Sequence, residues 1–163
     1  MTVRPIVTYP DPRLRAVAQA VTVFDASLRG LADDLLDTLR AAPGVGITAP
    51  HIGVLQRLVV LELTPGLVEV YVNPAILWAS EETIRHVEGS VSMPGATEEI
   101  ERAARVRVGY RDLDGAKQVE EADGFRAVCH QHEIDQLDGI FWLQRLSRLK
   151  RERVIKRYEK SRR

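Results

Sequence analysis

A central block of short alternating segments, bounded on both sides by helical patterns, constrains the fold of this chain most. Glycines, prolines and Asp-Gly pairs divide the block into strands, and Asp112-Leu113-Asp114-Gly115 has the composition of a hairpin turn. Strands that follow one another without intervening helices favour an α+β fold over an alternating α/β sheet. The predicted strands are 57–63, 66–72, 76–78, 84–87, 105–110 and 117–119.

Three helices are predicted around this block. Asp25 is the predicted N-cap of the first, and leucines recur at intervals of three and four residues to about Arg40, before Pro43-Gly44. The second helix spans about 124–137, and the third, which is basic, spans about 146–160. We therefore predict one α+β domain over residues 1–163, with antiparallel or mixed sheets around the second helix and a basic C-terminal helix over 146–163.

Composition excludes several classes of partner. The 23 basic residues balance the 23 acidic ones, and no apolar run approaches the ~20 residues that span a bilayer, so we expect neither DNA nor a membrane. Residues 1–9 lack the apolar core of a signal peptide. The single cysteine fits a reducing compartment, so we predict a cytoplasmic protein.

His132 and Glu133, on the second helix, are the sharpest local indication of chemistry. In an H-E-x-x-H helix, two histidines four residues apart share one face and bind a metal ion, while the glutamate is the general base. Here Gln136 occupies the position of the second histidine. By itself, the His-Glu pair is only a weak indication of a metal site.

Two further segments strengthen the pattern. Residues 44–51 read GVGITAPH and residues 88–92 read EGSVS; the former lacks the glycines of a dinucleotide loop and the Gly-Lys-Ser/Thr of a P-loop. With QHEIDQ at 131–136, they resemble the three ordered motifs of the peptide deformylases, G-x-G-x-A-A-x-Q, E-G-C-x-S and Q-H-E-x-D-H. The resemblance covers most of the chain. It implies an iron or zinc ion and removal of the formyl group from N-terminal methionine.

The resemblance also assigns roles to individual positions. The family binds its metal through the cysteine of the second motif and both histidines of the third, which correspond here to Ser90, His132 and Gln136. The glutamate that moves the proton corresponds to Glu133. Only one of the three ligand side chains is therefore retained.

The substrate side of the family's site is partly retained. The glutamine that holds the formyl oxygen corresponds to His51, and the backbone N–H that assists it belongs to Val91. The glycines that shape the peptide groove correspond to Gly44, Gly46 and Gly89, which are present. These glycines are equally compatible with a purely structural role. A formyl-methionyl peptide or a nascent chain is the expected partner.

Coordination chemistry predicts that no metal ion is tightly bound and that deformylase activity is weak or absent. A neutral serine hydroxyl and a glutamine carbonyl are poor ligands for iron or zinc, which prefer thiolate, imidazole and carboxylate. The alternative is an active metal-dependent hydrolase with altered ligands, for which His51, His132 and Cys129 are conceivable, although Cys129 has an ordinary core position.

Three other features are interpreted as structural or left open. His86 and His130 are expected to be surface or structural residues, and Glu88 is expected to pair with Arg102. Residues 144–163 contain ten basic and two acidic side chains, a net charge of +8. This basic segment is either a solvated helix docked on the domain or a contact for RNA phosphates. The family resemblance makes ribosomal RNA the specific candidate.

Overall fold

The computed structural model describes residues 2–163, in which seven strands and three α-helices form two sheets around one central helix. Short 3₁₀ helices lie at Pro12–Arg15, Ala49–Ile52 and Trp142–Arg145. The helices and strands, in chain order, are α1 (Ala26–Ala41), β1 (Gly46–Thr48), β2 (Leu58–Thr64), β3 (Leu67–Ala79), β4 (Thr83–Glu88), β5 (Glu98–Ala103), β6 (Arg105–Arg111), β7 (Lys117–Asp123), α2 (Gly124–Leu137) and α3 (Arg148–Ser161).

The larger sheet is antiparallel, with the strand order β1-β2-β3-β6-β7, and β4 and β5 form a separate hairpin. The two strands predicted at 66–72 and 76–78 are a single strand, β3, so that prediction is wrong. Its first half pairs with β2 and its second half with β6. Asn73, at a φ of 51°, lies at the bulge between the halves, and this local break in alternation mimics a strand end.

Helix α2 contacts every strand of both sheets, which places it at the centre of the domain. Its bounds agree with the prediction, as do the N-cap of α1 at Asp25 and the hairpin turn between β6 and β7. Two strands were not predicted. β1 is only three residues long, and β5 buries Ile100 and the charged Arg102 at alternate positions, so its apolar alternation is incomplete.

Helix α3 packs on a core around Trp142 and Met93 through Val154 and Tyr158. It begins at Arg148, later than predicted, because the Ser147 side chain caps it. Leu149, in its first turn, is an apolar side chain that is 59% exposed. In residues 2–163, no helix combines the length and apolar character needed to cross a bilayer.

Candidate active site

A cavity of about 680 Å³ lies between α2, the edge strand β1 and the segment 87–97. Val45, Val87 and Phe125, which we call the cavity rim, are partly exposed apolar side chains that line it. The cavity brings together nearly all of the residues that the sequence singles out; Gln136 is absent from its lining. Those present are Gly44, Gly46, His51, Gly89, Ser90, Val91, Cys129, His132 and Glu133.

Buried ion pairs hold the cavity side of α2. The Arg102 side chain, 4% exposed, donates to Glu88 through Nε and Nη2 at 2.8 and 2.9 Å and to Asp135 through Nη1 at 2.6 Å. Arg145 also donates to Asp135. Burial opposes ionisation of Glu88, but hydrogen bonds from Arg102 and His132 lower the pKa of its carboxyl to about 2. The predicted Glu88–Arg102 pair is thus confirmed.

His132 is oriented by this network. Its Nδ1–H donates to Glu88 Oε1 at 2.8 Å, because an ionised carboxylate offers only acceptor atoms. The opposite nitrogen, Nε2, lies 3.7 Å from Glu133 Oε1. Burial opposes protonation of His132, but the nearby carboxylates of Glu133 and Glu88 raise its pKa, and burial raises the pKa of Glu133. The two side chains therefore interact through their charges, without a hydrogen bond between them.

His51 has a fixed tautomer. The backbone N–H of Thr48 donates to His51 Nδ1 at 2.9 Å, so Nδ1 is the acceptor and the ring proton resides on Nε2. Burial, assisted by the charge of His132, lowers the pKa of His51 to about 3, so the ring is neutral at physiological pH. We call His51, His132 and Glu133 the cavity floor.

The three positions that bind metal in the peptide deformylases each have a protein hydrogen bond here. Ser90 Oγ accepts from the Ser92 N–H at 3.1 Å, and Gln136 Nε2 donates to the Leu14 carbonyl at 2.7 Å. Only His132 Nε2 remains a suitable ligand atom. The donor set therefore does not fit a tightly held transition-metal ion. The His, Cys, Asp and Glu side chains in residues 2–163 include no group of three in metal-binding positions.

The alternative ligand set of His51, His132 and Cys129 is not assembled either. The proton on His51 Nε2 occupies the lone pair that a metal would need. Burial, together with the charges of Glu133 and Glu88, raises the pKa of the Cys129 thiol to about 12, so it is a neutral thiol rather than a thiolate.

Close packing disfavours a side chain at each of the three cavity glycines. A Cβ atom on Gly46 would lie 2.8 Å from Glu133 Oε2, and one on Gly89 would lie 2.8 Å from the Ala96 carbonyl oxygen. A Cβ on Gly44 would lie 3.0 Å from a Val91 methyl group. The structural role of these glycines is therefore supported, and their assignment to peptide binding stays a prediction.

The remaining histidines are structural. His130 is buried, not on the surface, and lies 2.6 Å from Glu120, which also accepts from Tyr71 and Arg126. This cluster could not be predicted from residue spacing, because its members come from three separate elements, β3, β7 and α2. His86 stacks against Phe125 with ring centroids 4.7 Å apart, which links it to the cavity rim.

His132 and Glu133 on α2 are the first half of the H-E-x-x-H motif, which defines a class of metal-dependent hydrolases. Within that class, the chain belongs to the polypeptide deformylase family, whose model matches residues 3–152. It is 71% identical over 161 residues to a protein of Brucella melitensis described as peptide deformylase-like, covering 98% of each chain.

Two further comparisons reach enzymes of the family. The chain is 45% identical over 168 residues to the peptide deformylase of Methylocella silvestris, covering 99% of this chain and 86% of that protein. It superposes on the crystal structure of a peptide deformylase from Legionella pneumophila with a TM-score of 0.93 and 37% identity, covering 99% and 96% of the two chains. The predicted α+β fold and the predicted family are thus confirmed.

Proposed function

We propose that this chain binds the N-terminal segment of a formyl-methionyl peptide in the cavity and carries out little or no hydrolysis of the formyl group. The observation that carries the proposal is the combination of an apolar-rimmed cavity with two replaced ligand positions, Ser90 and Gln136, whose side chains are hydrogen-bonded within the protein. Family membership supports a peptide as the ligand.

Backbone geometry supports binding of an extended peptide. In residues 2–163, β1 pairs only with β2, and β4 pairs only with β5, so each has one edge without a partner strand. Both strands border the cavity. An extended peptide adds to such an edge through main-chain hydrogen bonds, and its side chains enter neighbouring pockets. The apolar cavity rim suits an apolar first residue such as methionine.

The chemistry of the cavity floor argues against efficient hydrolysis. A metal ion lowers the pKa of bound water from about 15.7 to about 7, which supplies hydroxide at neutral pH. Such activation needs an ion held by strong ligands, and the hydroxyl of Ser90 and the amide of Gln136 are weak donors already engaged within the protein. Glu133 retains the position of a general base, but a carboxylate alone leaves water far less nucleophilic.

The test is metal analysis combined with formate release. Protein purified without chelators is analysed for iron, nickel and zinc and then incubated with formyl-Met-Ala-Ser. We expect far less than one metal ion per chain, and formate release no faster than with Glu133→Gln. One ion per chain, with release that Glu133→Gln abolishes, would contradict the proposal and favour the alternative of an active hydrolase with altered ligands.

The basic C-terminal segment, 146–163, is a proposed contact for ribosomal RNA. Charged side chains such as Arg153, Lys156 and Lys160 are exposed on α3, while Val154 and Tyr158 anchor the helix to the domain. Binding to RNA phosphates releases counterions, so we expect cosedimentation with ribosomes that weakens steeply as salt rises. Retention of that binding in Lys156→Glu with Lys160→Glu would contradict this contact. Cytoplasmic location stays a prediction.

A further inference from the structure

Strand β7 is an edge of the larger sheet, and within residues 2–163 it pairs only with β6. The open side of an edge strand presents main-chain N–H and C=O groups that another strand can bind. Helix α2 covers one face of β7 through Ala122, whereas the side chains on the other face are exposed. The sheet is therefore open to extension at β7.

The direction of the main-chain groups of β7 follows from its hydrogen bonds to β6. Before β7, the Asp112 N–H donates to the Ala116 carbonyl at 3.0 Å, and after it the Gly124 N–H donates to the Ala104 carbonyl at 3.1 Å. The register between these two bonds is uninterrupted, and hydrogen-bonded pairs alternate along an antiparallel ladder. The even-numbered residues of β7 therefore bond to β6. The odd-numbered residues, Val119 among them, direct their N–H and C=O groups to the open edge.

The side chains of the same odd-numbered residues form a row on the exposed face of the sheet. Val119, which is 63% exposed, lies opposite Gly109 in the register of β6 and β7. Leu77 of β3 packs over Gly109, since a Cβ atom built there would lie 3.0 Å from a Leu77 methyl group. Lys117 and Glu121 flank Val119 with opposite charges. An apolar stripe across β3, β6 and β7 therefore reaches the open edge between a cation and an anion.

We propose that β7 is a dimer interface that pairs in antiparallel register with β7 of a second copy of this chain, with Val119 opposite Val119 on the two-fold axis. In this register, Lys117 of each copy lies opposite Glu121 of the other. Directly opposite charges of unlike sign stabilise a strand pair. The outward main-chain groups of the two strands form about six hydrogen bonds over residues 117–121. The apolar stripe then continues from one copy into the other.

The charge pattern of β7 selects this register and a second copy as the occupant. Antiparallel registers centred on Lys117, Glu120 or Glu121 place a charge opposite the same charge, which destabilises a strand pair. A register centred on Gln118 places Lys117 opposite Val119 and leaves its charge without an opposite partner. A lysine on an edge strand ordinarily discourages pairing. Here two-fold symmetry supplies its acidic partner, because both copies of a symmetric dimer contribute the same surface.

The test is sedimentation velocity of the full chain from about 1 μM to about 1 mM, because an interface of one strand pair is small and the dimer is weak. We expect a shift from monomer to dimer across this range. Lys117→Glu and Glu121→Lys, which each place like charges opposite each other twice, should weaken association at least about tenfold. An equal mixture of the two variants should form a heterodimer, because positions 117 and 121 again carry opposite charges. Lys156→Glu, exposed on α3, is the matched control and should associate like the wild type.

Amide hydrogen exchange of the nitrogen-15-labelled wild-type chain locates the interface. As concentration rises, the amides of Lys117, Val119 and Glu121 should become protected, whereas those of Gln118 and Glu120, which already bond to β6, should not change. A chain that stays monomeric at about 1 mM would overturn the proposal. A dimer that protects other amides would also overturn it, as would full association of Lys117→Glu alone or the absence of a heterodimer in the mixture.

Discussion

Replacing Arg102 by methionine removes the cation at the centre of the buried ion-pair network and should destabilise the fold by about 3 kcal/mol. Methionine fills a similar volume, but it leaves Glu88 without its bidentate partner. Breaking a buried pair on one side costs about 3–5 kcal/mol. The lower end applies because His132 still donates to Glu88 and Arg145 still donates to Asp135.

The pKa of Glu88 gives a separate value for the same network. Its carboxyl titrates at about 2 in the fold, against an ordinary value of 4.5. A carboxyl with a lowered folded-state pKa stabilises the protein above its unfolded pKa, and this stability is lost as pH falls through the folded pKa. At about 1.4 kcal/mol per unit, the shift corresponds to about 3 kcal/mol at neutral pH. Part of this stabilisation comes from the His132 hydrogen bond, which the Arg102→Met variant keeps.

Urea denaturation at pH 7, followed by circular dichroism, measures the loss directly, and the melting temperature should fall by about 6–12 °C for a domain of this size. The difference in free energy of unfolding between wild type and Arg102→Met should decrease as pH falls below about 4.5. At low pH, protonation of Glu88 removes the same stabilisation from the wild type. The matched control is Arg107→Met, whose pair with Glu121 is exposed and should contribute less than about 1 kcal/mol. If the free energy of unfolding fell by the same small amount in both variants, the conclusion that the buried ion-pair network stabilises the cavity would be refuted.

Three further outcomes follow from the site. The double variant Ser90→Cys with Gln136→His adds a thiolate and a second imidazole, so metal analysis should find bound zinc or iron. Failure of this variant to take up metal would contradict the coordination argument. Cys129 should react with a thiol reagent at pH 8 about 10³-fold more slowly in the folded chain than in denaturant, because burial raises its pKa to about 12 from 9.0; comparable rates would contradict the buried position. Gly46→Ala should cost about 1–3 kcal/mol in urea denaturation, because its Cβ would meet a carboxylate oxygen of α2 at 2.8 Å. Gly30→Ala, on an open helix face, should not destabilise the chain, and a loss there equal to that of Gly46→Ala would contradict the packing argument.

The helices could be predicted from sequence because their signals are local. Asp25 caps α1 through its own side chain, and the leucine spacing that follows defines one buried face. β5 could not be predicted, because one of its two inward positions is Arg102 rather than an apolar residue. A charged residue in a strand is predicted to be solvent-exposed unless its neutralising partners are known. The partners of Arg102, Glu88 and Asp135, lie on β4 and α2, so the β5 sequence does not reveal them.

The site could be predicted as a set of residues but not as a hydrogen-bonding pattern. Spacing on the second helix places Cys129, His132 and Glu133 at the cavity. The same helical geometry placed Gln136 nearby, and the structure instead turns its amide to the Leu14 carbonyl, 122 residues away in sequence. The tautomer of His51, by contrast, is set locally by the backbone N–H of Thr48, three residues earlier, in the capping box of a 3₁₀ helix. The contact of Gln136 with Leu14 has no signature in residue spacing.

Loss of two of the family's ligands is compatible with a stable fold because protein groups form hydrogen bonds with the side chains at both replaced positions, Ser90 and Gln136. A buried polar atom deprived of its partner is costly, and a site that simply lost its ion would leave several. Here Ser90, His132 and Gln136 are each bonded to neighbouring protein atoms, and the unpaired atoms are confined to His51 and Glu133 among the residues that line the cavity in the described chain. Two other buried atoms without a hydrogen-bond partner, Ser92 Oγ and Trp142 Nε1, belong to residues outside the cavity lining. Pairing by protein groups is therefore a property of the two replaced ligand positions and does not extend through the whole interior.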